Sequence, residues 1–259
     1  LVNEKSINKL KDNGVDVKTG VCEEQAVELN KSFFYKYKFN KPYIRLKFGA
    51  SIDGKIADEK KQSKWITSSL SRKVVQDIRA EVNAIITTSN TVIEDNPFMN
   101  IRDKKLLNSI VNQPSLIVLD RNLRIPETAN IFKTNRLIII ITDVKNTSKE
   151  ALRLYNNNVV IKYVTTKDSK IQIEDIFKIA NIYNLTDILV ESGSKFSKSL
   201  FDSDSVDELL YFVAPKILGH KALCFSGIAP IVKLKNKISL KINSIKTYDN
   251  DLYVNMRRN

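Results

Sequence analysis

Two short runs hold most of the residues whose types and spacing can do chemistry. Residues 47–57, KFGASIDGKIA, read as a strand that breaks into a Gly-Ala-Ser and Asp53-Gly54 turn with Lys55 at its tip. Residues 87–102, TTSNTVIEDNPFMNIR, read as a strand leading to a polar loop with Asp95, a Pro97 brake and a terminal Arg102. Between them lie Trp65-Ile66-Thr67-Ser68 and a short helix carrying Arg79. Small hydroxyl groups, one indole and two guanidinium groups therefore bracket a common space. Guanidinium forks match phosphate oxygens two at a time, so the pattern describes a cleft for a phosphorylated small molecule, with Ser63 adding a hydroxyl. Arg79 alone reads more often as an ordinary helix-surface charge; Arg102, closing the Asp95-Asn96-Pro97 loop, makes it one of a pair.

Several kinds of chemistry are excluded. No GxGxxG follows a strand and no GxxxxGK[ST] occurs, so the ordinary dinucleotide and P-loop motifs are missing. His220 is the only histidine, and Cys22 and Cys224 lie far apart. A His-based hydrolase triad, a Cys/His zinc centre and a disulfide framework all lack their parts, so no metal site is expected. What remains is Lys, Asp, Glu, Ser and Thr chemistry around a bound cofactor. The 259 residues carry a formal net charge of +13, but the lysines are scattered among asparagines and isoleucines with few interleaved aromatics, which argues against nucleic acid. Such a surface still favours phosphorylated ligands. No apolar stretch is long enough to span a membrane and residues 1–6 are not a signal peptide, so a protein of the reducing cytoplasm is expected.

The elements that position these residues alternate. A helix is expected over 4–13, stopped by Gly14, and another over 23–37 with an apolar stripe of Ala26, Leu29, Phe33 and Phe34. Asn40-Lys41-Pro42 marks a boundary. Ile44, Leu46 and Phe48 then repeat at period two, and Leu70, Val74 and Ile78 at period four behind the Thr67-Ser68-Ser69 cap signals. Ala84–Thr87, Ser115–Leu119, Leu137–Ile141 and Val159–Val164 are apolar runs of the kind found in buried parallel strands. A helix over 173–183, a strand over 187–191, a short helix over 195–201 and a strand over 208–213 follow. Residues 239–242 and 252–256 read as an antiparallel pair at the edge. The result is an α/β fold, mostly parallel, with ligands at the carboxyl ends of the strands.

KFGASIDGKIA, SKWITS, Arg79-Ala80, TTSNTVIEDNP with Arg102, LIVLD, ILVESG and VDELLYFVAPKILG, in this order over about residues 42–255, resemble the reductase domain of the bifunctional riboflavin-biosynthesis deaminase/reductase. Residues 1–20 resemble the end of that family's deaminase domain, so the domains are expected at 1–41, a deaminase remnant, and 42–259, the reductase. The H-x-E and P-C-x-x-C deaminase signature is missing, so no deamination is expected of these residues, and a separate deaminase protein is one implied partner. The resemblance implies a dihydrofolate-reductase-like fold and a homodimer. It also implies NADPH-dependent reduction of the ribosyl group of 5-amino-6-(5-phosphoribosylamino)uracil to a ribityl chain. The related reductase of the undeaminated diaminopyrimidinone, and a non-catalytic nucleotide-binding relic, are the alternatives.

Within that resemblance, Lys55 and Glu191 are the catalytic candidates. Lys55 sits in a turn where Gly54 permits close approach, and Glu191 ends an apolar strand, placed to orient the ribose or pair with Lys55; a solvated turn lysine and a helix cap are the plainer readings. Ser63, Arg79, Met99, Arg102 and Glu191 are the implied substrate contacts. Gly49, Trp65, Thr91, Asp95, Arg121 and the stretch Gly193, Ser194, Lys195, Phe196, Ser197, Lys198 and Ser199 are the implied cofactor contacts. Gly193 opens a helix whose free N–H groups suit a pyrophosphate, and Arg121 after the LIVLD strand is placed for a 2′-phosphate. Trp65 reads otherwise as a core aromatic and Arg121 as a turn residue facing water. Asp207 and Glu208 read as structural.

Overall fold

The computed structural model describes residues 5–146, 151–154, 158–228, 231, 233 and 237–258. Its centre is a nine-stranded sheet. The strands used below are β1 (Tyr43–Ser51), β3 (Ala84–Thr88), β4 (Ser115–Leu119), β5 (Ile138–Asp143), β6 (Val159–Val164), β7 (Asp187–Val190), β8 (Glu208–Ala214), β10 (Leu240–Tyr248) and β11 (Asp251–Arg258). Their spatial order is β10-β11-β8-β1-β7-β3-β4-β5-β6. From β8 to β6 every pairing is parallel, and the β10–β11 hairpin adds antiparallel to β8. A two-stranded ribbon of β2 (Lys55–Ala57) and β9 (Leu223–Cys224) stands apart from the sheet.

The apolar runs are continuous because both faces of the sheet are covered. Ile44, Leu46, Phe48, Ile86, Ile188 and Val190 join the core on one face, which is roofed by α7 (Ile173–Ile182) and α8 (Ser194–Asp202) through Ile176, Phe177, Leu200 and Phe201. Ile85, Val118, Ile140 and Leu189 point the other way, against Val75 and Ile78 of α4 (Ser69–Glu81). Val159–Val164 differs from expectation: it is the edge strand β6, half-buried along most of its length, because no strand pairs on its outer side.

The first 41 residues form α1 (Lys5–Asp12), α2 (Glu23–Leu29) and α3 (Lys31–Phe39). The single helix expected over 23–37 is broken at Asn30, whose φ of −115° and ψ of 27° leave the helical region and whose side chain donates to Ala26 O at 3.0 Å. The expected apolar stripe is exposed, with Leu29 at 85% and Phe33 at 51%. The segment is held to the sheet by charge instead. Lys31 Nζ lies 3.0 Å from the buried carboxylate of Glu208, which also accepts from Asn255 Nδ2 at 2.8 Å. Arg257 pairs with both Glu28 and Glu208. These contacts sit at the amino ends of β1 and β8, away from the ligand end, so Glu208 is structural as expected. No helix among the described residues is long and apolar enough to cross a membrane.

Asp207 has the same structural role but at a cost. It accepts the Ile44 N–H at 2.8 Å and a hydrogen bond from Tyr35, yet burial pushes its carboxyl up to about 6. A carboxyl with a raised folded pKa binds its proton more tightly in the folded chain, so stability falls as pH rises from the unfolded value of about 4 to about 6. Asp207→Asn should therefore melt above the parent at pH 7.5, with the two converging toward pH 4. Thermal denaturation across that range checks it; parallel curves would contradict it.

Candidate active site

The site lies at the carboxyl ends of β1, β7 and β3, where an α/β sheet presents its ligand contacts. The register places Leu46 beside Val190, so the next residues, Lys47 and Glu191, are neighbours on adjacent strands. Glu191 Oε2 is 3.4 Å from Lys47 Nζ, and its Oε1 accepts from Arg79 Nε at 2.7 Å. Burial raises the cost of ionising Glu191, but the Arg79 guanidinium and the Lys47 ammonium outweigh it and hold the carboxyl well below the usual carboxylate range.

This corrects one expectation: Glu191 is not paired with Lys55. Lys55 opens β2, where its N–H is held by Ser51 Oγ at 2.9 Å, and the strand faces Cys224. Asp53 does not pair with it either, because its carboxylate closes the turn by accepting from Ser51 Oγ and from Gly219 N at 2.8 Å. Lys47 is the site residue that sequence reasoning left without a role. The signal was a charged residue inside a strand whose neighbours, Leu46 and Phe48, are core.

The two arginines expected to meet a phosphate stand on α4 and on the loop after α5 (Ser89–Asp95). Ser68 caps α4 by accepting from Ser71 N, and Asn96 (φ 41°) followed by Pro97 ends α5. Arg79 is 7% exposed and fully engaged, its Nη1 donating to Asn100 O at 2.8 Å and its Nη2 lying 3.8 Å from Met99 Sδ. Arg102 differs. Its backbone N–H is held by Gln76 Oε1 at 2.7 Å, while its exposed guanidinium makes no hydrogen bond or ion pair among the described residues and lies 6.0 Å over the Phe98 ring. Burial of part of the group and the like charge of Arg79 lower its pKa. Ser63 Oγ donates to Asp95 Oδ1 at 3.1 Å, and both line the cleft with Met99.

The same cleft, about 220 Å³, is lined by Gly49, Thr91, Ser192 and Gly193. Among the described residues Ser192 Oγ is buried with no partner, and Gly193 caps α8 with no side chain on the freed N–H groups. An orphaned hydroxyl beside an open helix N-terminus fits the phosphates of a dinucleotide. The side chains of the stretch expected over 193–199 lie in different surroundings. Phe196 and Ser197 are buried on the core face of α8, Ser197 Oγ donating to Gly193 O at 3.1 Å. Lys198 pairs with Asp202 one turn on, and Ser199 Oγ points back to Lys195 O. Of this stretch Gly193, at the start of the helix, lines the cleft beside Ser192.

Trp65 is not placed in the cleft. Its ring is 65% exposed and stacks under Arg72, with the guanidinium carbon 4.3 Å from the ring centre. Arg121 follows β4, its carbonyl fixed by Asn146 Nδ2 at 2.6 Å and Thr142 Oγ1 at 3.0 Å. Its guanidinium has no ion pair among the described residues.

Residues 42–254 match the family model described as the RibD C-terminal domain. The riboflavin biosynthesis protein RibD of Aquifex aeolicus is 31% identical over 259 residues, covering all of this chain and 69% of that protein. A 5-amino-6-(5-phosphoribosylamino)uracil reductase of Buchnera aphidicola is 32% identical over 191 residues, 71% of this chain and 90% of its own length. Among solved structures, Acinetobacter baumannii RibD superposes with a TM-score of 0.86 at 27% identity, over 99% of this chain and 69% of that one. The yeast reductase Rib7, at 16% identity and TM-score 0.63, shares the fold.

Proposed function

Because this chain belongs to the RibD C-terminal domain family, we propose that it reduces the ribosyl group of 5-amino-6-(5-phosphoribosylamino)uracil to the ribitylamino product in riboflavin biosynthesis, with NADPH as reductant. The observation that carries the reading is the division of labour between the two arginines. Arg79 is spent on Glu191 and Asn100 O, whereas Arg102 presents an unengaged guanidinium beside it, the arrangement a phosphate needs.

The chemistry requires that the C1–O bond of the ribose opens. Its electron pair goes to the ring oxygen, which takes a proton, while the amine lone pair forms a C=N bond. Hydride addition at C1 then returns the pair to nitrogen. When bound, the nicotinamide supplies that hydride. Lys47 is the group placed to give the proton, since its ammonium faces the cleft and is oriented by Glu191 at 3.4 Å. Arg102 holds the phosphate end, and Ser63 and Asp95 form a polar wall beside it. Ser192, Gly193 and the N-terminus of α8 hold the dinucleotide phosphates.

The reading includes residues 1–41 as the end of a deaminase domain, a homodimer, and a separate deaminase protein as partner. It is tested by following NADPH oxidation with the deaminated and the undeaminated pyrimidine. Turnover confined to the deaminated compound is expected. Faster turnover of the undeaminated one would transfer the assignment to the related reductase, and none with either would leave a nucleotide-binding relic.

Arg121 carries the cofactor preference in this reading. NADPH should bind more tightly than NADH, and Arg121→Ala should shrink that preference by roughly tenfold or more, the worth of one charge-assisted phosphate contact. Equal dissociation constants for the two cofactors in the parent would overturn it.

A further inference from the structure

Arg136, just before β5, is a buried cation beside the Phe98–Met99 turn. It is 5% exposed. Its Nη2 donates to Phe98 O at 2.7 Å and its Nη1 to Met99 O, while its Nε is buried with no partner. Among the described residues no carboxylate pairs with it. Burial first, and then the nearby Arg79, push it down to about 9, so it is charged at neutral pH.

The segment it grips is the one that carries Arg102. Three consecutive carbonyls are turned into guanidinium groups, Phe98 O and Met99 O by Arg136 and Asn100 O by Arg79. Met99 is held at φ 49°, a left-handed conformation that a methionine does not adopt without restraint. Beyond it, Gln113 holds both Ile101 N and Ile101 O, and Gln76 holds Arg102 N. The backbone under Arg102 is thus fixed at each residue, while its guanidinium makes no hydrogen bond or ion pair among the described residues.

A buried, unpaired guanidinium is expensive for a fold, and a core of carbonyl dipoles offsets it only in part. Near this turn Glu191 is shared between Lys47 and Arg79, and the Asp95 carboxylate accepts from Ser63, while neither Arg102 nor Arg136 has a carboxylate partner among the described residues. A phosphate dianion at Arg102 supplies the charge that is missing. We propose that Arg136 is a positioning residue of the phosphate subsite: it locks the Phe98–Met99 turn so that Arg102 faces the substrate phosphate, and its own uncompensated charge strengthens the hold on that anion. This deepens the reductase reading and rests on it for the identity of the anion.

The test compares the parent with Arg136→Met, which keeps the stem and removes the charge and the fork, and with Arg136→Lys, which keeps the charge alone. In steady-state assays Arg136→Met should raise the KM for the phosphorylated substrate tenfold or more, with kcat within about threefold of the parent and the KM for NADPH unchanged. With the dephosphorylated substrate the parent and the variant should be alike, and Arg136→Lys should fall between them. Independently of turnover, inorganic phosphate should raise the parent's Tm, and Arg136→Met should lose at least half of that gain. An unchanged KM and an unchanged phosphate gain would overturn the proposal. So would an equal loss on phosphorylated and dephosphorylated substrate, which is what a merely structural clamp gives. If Arg136→Met does not fold, Arg136→Lys decides, since a parent-like KM and phosphate gain there would show that the fork positions nothing. A parent that binds phosphate through Arg136 but oxidises no NADPH would instead refute the reductase reading and leave the anion site standing.

Discussion

Lys47→Met should lower turnover by roughly two to four orders of magnitude, the usual loss when a proton donor or a transition-state charge is removed, whereas Lys55→Met should stay within about threefold of the parent. The contrast follows from where the two ammonium groups stand. Lys47 lies 3.4 Å from Glu191 Oε2 on the adjacent strand and faces the cleft. Lys55 begins the small ribbon opposite Cys224 and makes no ion pair among the described residues. Methionine preserves most of the lysine stem, so the packing on that face of β1 is disturbed little and the cofactor should bind as before. Single-turnover rates with both variants make the comparison free of product release. A normal rate in Lys47→Met with a collapsed rate in Lys55→Met would return the proton to the turn lysine and break the mechanism proposed here.

What the sequence made legible, and what it did not, divides along a physical line. The parallel core strands could be read because a strand buried on both faces must be apolar at every position, as Ile138 to Ile141 are. The helix ends at Gly193 and at Asn96-Pro97 could be read because these are local signals that act within a few residues. Glu191 was singled out but given the wrong neighbour, since a local turn at Asp53-Gly54 says nothing of which side chains meet across the sheet. That was decided by the β1–β7 register, a contact between distant segments. The same limit hid Arg136, whose partners are the carbonyls of Phe98 and Met99, groups every residue carries and no sequence marks. It also merged α2 and α3, because the periodicity of Ala26, Leu29 and Phe33 continues through Asn30 while the backbone does not. Charge contacts with Glu208, rather than burial of that stripe, hold the segment to the sheet.

Glu191→Gln should be the most damaging single change in the site, because it touches both the fold and the chemistry. The amide can still accept from Arg79 Nε, but its NH2 meets the Lys47 ammonium donor to donor, and two cations lose their counterion in a place where Glu191 is only 8% exposed. Removing one partner of a buried pair costs about 3–5 kcal/mol, a large share of the net stability of a domain this size. The pH dependence has a definite sign. A carboxyl whose folded pKa is depressed contributes stability that is fully present above its unfolded value of about 4.3 and is lost as pH falls through the folded value. The gap in denaturation midpoint between parent and Glu191→Gln should therefore be constant from pH 8 to 5 and close progressively below pH 4. Turnover should fall with it, since Lys47 is no longer oriented, and urea titrations at pH 7 and pH 3.5 beside a rate measurement at pH 7 read both effects. A gap that widens on acidification would mean that Glu191 is protonated in the folded chain, and then neither the ion triad nor the orienting role given to it could stand.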